Sequence, residues 1–160
     1  MRKIASLVVL VALAASLTAC SAQGEAPIKG CTPVKSGSAS NAVTVSGSFG
    51  KTPKVKVHAP SGKVSTTQRT VVKIGKGAVA AKGKKVTVDF AVYNGTTGKE
   101  LSSTGFDGKT VPFTMNSNYL PGIVKTIECS RVGTRVVGII PPADAFKSTG
   151  DSSLGIGAKD

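Results

Sequence analysis

The cysteines are the residues whose positions first imply chemistry. Cys20 closes the tetrapeptide Leu17-Thr18-Ala19-Cys20. That tetrapeptide ends an apolar run from Ile4 to Ala15, which follows Arg2 and Lys3. The run is too short to span a bilayer, which takes roughly 20 apolar residues. It suits a secretion leader. The tetrapeptide has the pattern of a bacterial lipobox, so Cys20 is expected to be lipidated and to become the mature N-terminus. The alternative is a plain cleavage site beside an incidental cysteine. A diacylglyceryl group brings two acyl chains, enough for stable anchoring to a membrane. The expected location is therefore the extracytoplasmic face of the cell membrane, held by lipid. Export also sets the redox environment. The remaining pair, Cys31 and Cys129, is expected to form a disulfide. Closing so long a loop adds on the order of 3–5 kcal/mol. Lone His58 has no second His and no acidic neighbour nearby. It reads as a solvated side chain and not as a metal ligand.

A second candidate site lies near the C-terminus, in Arg135 to Phe146, RVVGIIPPADAF. Val136, Val137, Ile139 and Ile140 make a short β-branched run, which fits a buried strand. Pro141 and Pro142 end it, because neither can donate to a sheet ladder. Phe146 then stands on the loop leaving that strand. It is either the wall of a pocket or a plain loop anchor.

Charge narrows the partners. The formal net charge is +13. Without Arg2 and Lys3 the 21 basic residues become 19 against 8 acidic ones, a net charge of about +11. The lysines are dispersed, apart from the cluster Lys82, Lys84 and Lys85, and there is no Trp. With no aromatics interleaved among the basic residues, nothing beyond net charge points to nucleic acid, and no nucleic-acid partner is expected. A cationic exported domain is soluble and is drawn to anionic headgroups or wall polymers.

The elements that must position these residues follow from periodicity. Residues 1–19 form the leader. Residues 20–41, rich in Ser, Gly, Pro and Lys, read as a tether whose one fixed point is Cys31. Residues 42–69 form a strand extension: Val43 and Val45 alternate with polar residues, Gly47 to Gly50 turns the chain, and Val55 and Val57 alternate again. Ala59 to Gly62 breaks the pattern. Residues 70–160 form the main domain. Val71, Val72 and Ile74 make one strand, and Val86, Val88, Phe90 and Val92 line one face of another. Asn94 to Gly98 is a turn. Lys99–Ser103 and Val111–Met115 are further strands, with Pro112 favouring an edge. One helix is expected, with Asn118 as N-cap and Leu120, Ile123, Val124 and Ile127 as its apolar stripe. Arg131-Val132-Gly133 should end it. The order predicts an α+β domain, a helix covering one sheet face.

In this order, Gly83 to Phe90, Thr97-Gly98-Lys99, Pro112-Phe113, Leu120-Pro121-Gly122, Val132 to Arg135, and Ile139 to Pro142 with Ala145-Phe146 resemble the FKBP-type peptidyl-prolyl isomerases. The resemblance runs from about Thr70 onward. The leader and tether resemble those of exported actinobacterial members, some of which carry two such domains. The resemblance implies a curved antiparallel sheet packed on one short helix, with an apolar pocket between them. It implies proline-containing segments of exported proteins as partners and needs no cofactor or metal.

Matched to the family pattern, Phe90 takes the place of a pocket-wall Tyr, and Phe113 that of a pocket Phe. Tyr119 and Leu120 match the apolar pair before the helix, where the Leu120 N–H meets a substrate carbonyl. Ile123 replaces a Trp at the pocket floor, and Phe146 replaces a Tyr that offers its hydroxyl. The family's Phe-Asp pair is Leu101-Ser102 here, or Phe106-Asp107 after a loop shift. These losses imply weak isomerase activity, or a non-catalytic module that binds peptides or partners. Phe90, Phe113, Leu120 and Phe146 are expected to line a hollow that admits a prolyl ring; the alternative is that Phe90, Phe113 and Ile123 are ordinary core. The family's final apolar strand, which lies inside the sheet, has no match before Asp160. The expectation is a truncated form of a longer protein. Otherwise Val43–Val45 or Val55–Val57 fills the slot, in cis or from a neighbour.

Overall fold

The computed structural model describes residues 28–58, 64–116 and 118–160. The expected leader, Cys20, the first part of the tether and the Ala59–Gly62 break lie outside them. No helix among the described residues is long and apolar enough to cross a membrane. The chain forms α1 (Ser38–Asn41), β1 (Val43–Ser46), β2 (Lys54–Val57), β3 (Gln68–Lys73), β4 (Lys85–Val88), β5 (Ala91–Tyr93), β6 (Glu100–Ser103), β7 (Val111–Thr114), α2 (Pro121–Ile127) and β8 (Arg135–Ile139). Three 3₁₀ turns follow, at Pro142–Asp144, Lys147–Thr149 and Ser152–Leu154. This is an α+β arrangement, mostly strand, with a small covering helix.

The strands pair as four antiparallel ladders: β1·β2, β3·β8, β4·β7 and β5·β6. Among the described residues β1 and β2 pair with each other and with no other strand, so neither fills the expected slot from within this chain. Val43 faces Val57 and Val45 faces Val55. This sets the half-buried valines on one face of the hairpin and exposed Thr44, Ser46, Lys54 and Lys56 on the other. β3 begins at Gln68, ahead of the boundary expected at Thr70, and bulges between Val71 and Lys73. Among the described residues β7 has β4 as its one partner strand, and an edge of this kind tolerates Pro112.

The core sits between β4·β7 and α2. Ala80, Phe113 and Met115 are buried, and Val86, Val88, Ile123, Val124 and Ile127 pack against them. The alternation of β4 and the helical spacing of α2 bring these residues together. Burying a side chain such as that of Phe113 contributes about 1.5–3 kcal/mol.

Two expectations need correction. The tether expected through Asn41 ends in a docked helical turn. Ala39 and Ser40 are buried, and their backbone N–H groups donate to Gln68 Oε1 at 3.1 and 3.2 Å. A side-chain acceptor on β3 thus satisfies donors that a short helix leaves open. The strand expected to run from Val86 to Val92 is broken at Asp89-Phe90. There Thr104 takes over, donating its N–H to the Phe90 carbonyl at 3.0 Å and accepting the Phe90 N–H on Oγ1 at 3.3 Å. Val86 and Val88 stay against the core, whereas Phe90 and Val92 are exposed.

Candidate functional site

The start of α2 organises the region. Pro121 occupies the first helical turn and Leu120 is the N-cap, with φ −53° and ψ 129°. Its carbonyl accepts the N–H groups of Ile123 and Val124 at 3.0 and 3.3 Å. Asn118, expected as the N-cap, lies two residues too early and instead donates its N–H to Asn116 Oδ1 at 3.1 Å. The reason is local: a residue before proline is held out of the helical region, so the helix cannot begin before Pro121. α2 also stops earlier than Arg131-Val132-Gly133. Glu128 is its C-cap, and Cys129 takes φ 65°. Cys129 donates its N–H to the Ala80 carbonyl at 2.9 Å. It is disulfide-bonded to Cys31, with Cα atoms 5.6 Å apart.

Phe113, Tyr119 and Ile123 meet at this end of the helix. The Phe113 and Tyr119 rings lie 4.0 Å apart at 32°. Phe113 is 5% exposed and Tyr119 38%. The space expected above Phe113 is thus covered by the Tyr119 ring, and Ile123 packs against the same core from α2. Leu120 is half-buried beside them. Phe90 stands in the break between β4 and β5, 36% exposed. Phe146 is half-buried at the head of the second 3₁₀ turn, where its carbonyl accepts Thr149 Oγ1 at 2.7 Å. Neither joins a ring pair among the described residues.

The loop that carries Phe146 is nevertheless fastened to α2. Gly122 is needed in the first helical turn, since a Cβ there would run into the side chain of Ile140. Gly138 likewise admits the side chain of Thr126. Beyond the strand, Lys125 Nζ meets Asp144 Oδ1 at 2.6 Å, and Thr67 Oγ1 donates to Asp144 Oδ2 at 2.6 Å. The hydrogen bond from Lys125, and then that from Thr67, hold the Asp144 carboxyl below its ordinary range. This staple was not foreseen from the sequence. Lys125 lies off the apolar stripe of the helix, but nothing in the spacing ties it to Asp144.

Of the pair Phe106-Asp107, Phe106 is half-buried and Asp107 exposed. Asp107 pairs with Lys109 on the surface at 3.3 Å, and Phe106 takes φ 54°. A cavity of about 420 Å³ lies elsewhere, lined by residues 32–37 and 66–68. It includes none of the six expected site residues.

A search of curated proteins finds no match. The family model for FKBP-type peptidyl-prolyl cis-trans isomerase matches residues 76–159, more than half of the chain. That span holds α2, β8, the Phe113–Tyr119 pair and the stapled loop, and the chain belongs to the FKBP-type peptidyl-prolyl isomerase family.

Proposed function

We propose that this chain is a lipid-anchored prolyl isomerase of low activity that serves exported proteins. The observation that carries this reading is the apolar cluster Phe113–Tyr119–Ile123 at the start of α2, within the span the family model matches. Rotation about an X–Pro bond meets a barrier of roughly 18–20 kcal/mol, because the C–N bond is partly double. A dry apolar surface favours the twisted imide, which has lost resonance and charge separation. Phe113 and Ile123 supply that surface, and Leu120 presents backbone beside it. Tyr119 lies over Phe113 and must swing aside to admit a prolyl ring, which keeps the rate low. The leader, the Cys20 motif and the Cys31–Cys129 bond all suit an oxidising extracytoplasmic setting. A protease-coupled isomerisation assay tests the activity. A rate equal to the uncatalysed blank removes it.

The covered Phe113 also favours a second reading, a non-catalytic module that binds peptides or partners. Tyr119→Ala separates the two. For an isomerase, uncovering Phe113 raises kcat/KM. For a binding module, it changes peptide affinity and leaves the blank rate in place. Intact-mass analysis of the membrane-extracted chain tests Cys20, since a diacylglyceryl adduct is expected and an unmodified cysteine refutes the anchor.

A further inference from the structure

The charge of this chain is unevenly placed. Between Pro27 and Val88 there are 12 basic residues and no acidic one, whereas from Asp89 to Asp160 there are 7 of each. The excess positive charge therefore belongs to the half that contains the β1·β2 hairpin. Its outer face presents Lys54 and Lys56, and Lys51 lies in its exposed turn. Beneath the tip, Lys73 and Arg135 face each other across β3·β8, two like charges in a position that ordinarily destabilises a ladder. Among the described residues, none of these four lysines has a carboxylate partner; the ion pairs use Lys109 and Lys125.

At the tip of this surface stands Phe49, 49% exposed. Lys73 Nζ lies 4.4 Å from its ring centre and the Arg135 guanidinium 5.8 Å. Arg135 also donates to the carbonyls of Gly47 and Ser48, both at 2.7 Å, which ties the tip to β8. An exposed ring among cations matches the water–hydrocarbon boundary of an anionic bilayer, where an apolar ring buries at the headgroup–acyl boundary and lysines meet lipid phosphates. A soluble anionic polymer would satisfy the lysines but leave the ring in water.

We infer that the hairpin tip, with Phe49, Lys51, Lys54, Lys56, Lys73 and Arg135, docks on an anionic phospholipid surface. This contact is separate from any anchor at Cys20. It lays the hairpin face against the membrane and fixes the orientation of the domain above it.

The chain has no Trp, so Phe49→Trp places a single indole at the tip. The full chain is reconstituted into vesicles with brominated acyl chains, either of phosphatidylcholine alone or with phosphatidylglycerol added. An anchor inserts in both, so quenching of the indole reports docking and not anchoring. The expected result is quenching in the anionic vesicles only, reversed at about 0.5 M salt. Adding Lys51→Gln, Lys54→Gln and Lys56→Gln is expected to weaken docking about fivefold per lysine, on the order of a hundredfold in all. Leu154→Trp, an exposed reporter in the charge-balanced half, should stay unquenched. Equal quenching in neutral vesicles, indifference to the three glutamines, or equal quenching from Leu154→Trp overturns the proposal. So does an indole shift with soluble poly(glycerol phosphate) but none with anionic vesicles.

Discussion

Phe113 and Phe49 belong to two strand pairs that are held in opposite ways. Phe113, in β7, lies under α2 among apolar neighbours, 5% exposed. Phe49, at the tip of β1·β2, sits between two cations with half its surface in water. The β4·β7 ladder is secured across its face by area removed from water, which is non-directional and shared by many atoms. The hairpin is secured at its tip by Arg135 on two carbonyls and by Thr52 Oγ1 on the Gly105 carbonyl at 3.2 Å. Two-stranded ribbons are marginal alone, and a few exposed contacts leave such a unit free to open before the rest unfolds. The lesson is that one region sets global stability and the other sets what the surface presents.

The sharpest test of this contrast is the same substitution in both places. Phe113→Ala is expected to cost about 3–5 kcal/mol, the range for truncating a buried aromatic, read as a lower urea midpoint. Should it prove nearly neutral, the core does not lie where α2 meets β7. The next largest effect is expected from Cys31→Ser, which opens a loop with a sequence separation of 98. A loss of about 4 kcal/mol is expected, mostly through a freer unfolded chain. It should appear in thermal unfolding and be absent when wild type and variant are compared under reductant.

Acid acts on the staple between α2 and the Phe146 loop. The folded Asp144 carboxyl titrates below its ordinary range, so its contribution is complete above the unfolded carboxylate value of about 3.9. It is lost as pH falls through the lower folded value. Asp144→Asn is expected to reduce stability at neutral pH and to flatten this part of the acid limb in pH-dependent denaturation. An unchanged limb would mean that the staple adds nothing. The smallest effect is expected from Phe49→Ala. Losing cation–π contacts at an exposed site costs roughly 0.5–1 kcal/mol, and hydrogen exchange should quicken in residues 43–57 while the core amides hold.

Much of this fold was legible in the residues. The alternating valines of the hairpin and the stripe of α2 each match one period, and the apolar run of β8 reads as strand because it is short and β-branched. The cysteine pair was legible because the expectation of export left two thiols to pair in an oxidising setting. What escaped was set by distant partners. Gln68 docks α1 across 28 and 29 residues, and Thr67 meets Asp144 across 77. No local pattern encodes either contact. The break at Phe90 depends on Thr104, 14 residues away at the end of β6. The helix start was different, because the restriction that Pro121 places on Leu120 stood in the sequence and outweighs the capping preference of Asn118. The candidate site shows the same division. Phe113 and Ile123 were legible as apolar neighbours of a helix start, but the lid formed by Tyr119 was not, since a ring's direction on a connecting segment depends on what it covers.

The bond between Cys31 and Cys129 also decides how the molecule bears load. A pull applied ahead of Cys31 passes straight to Cys129 and on towards β8, bypassing α1, the hairpin and the strands from β3 to β7. Those segments lie within a covalent ring spanning 98 residues and cannot be drawn out along the chain while the sulfurs stay joined. Stretched between its two ends, the oxidised chain can lengthen only through the segments outside that ring. A reducing environment would release the slack stored within it.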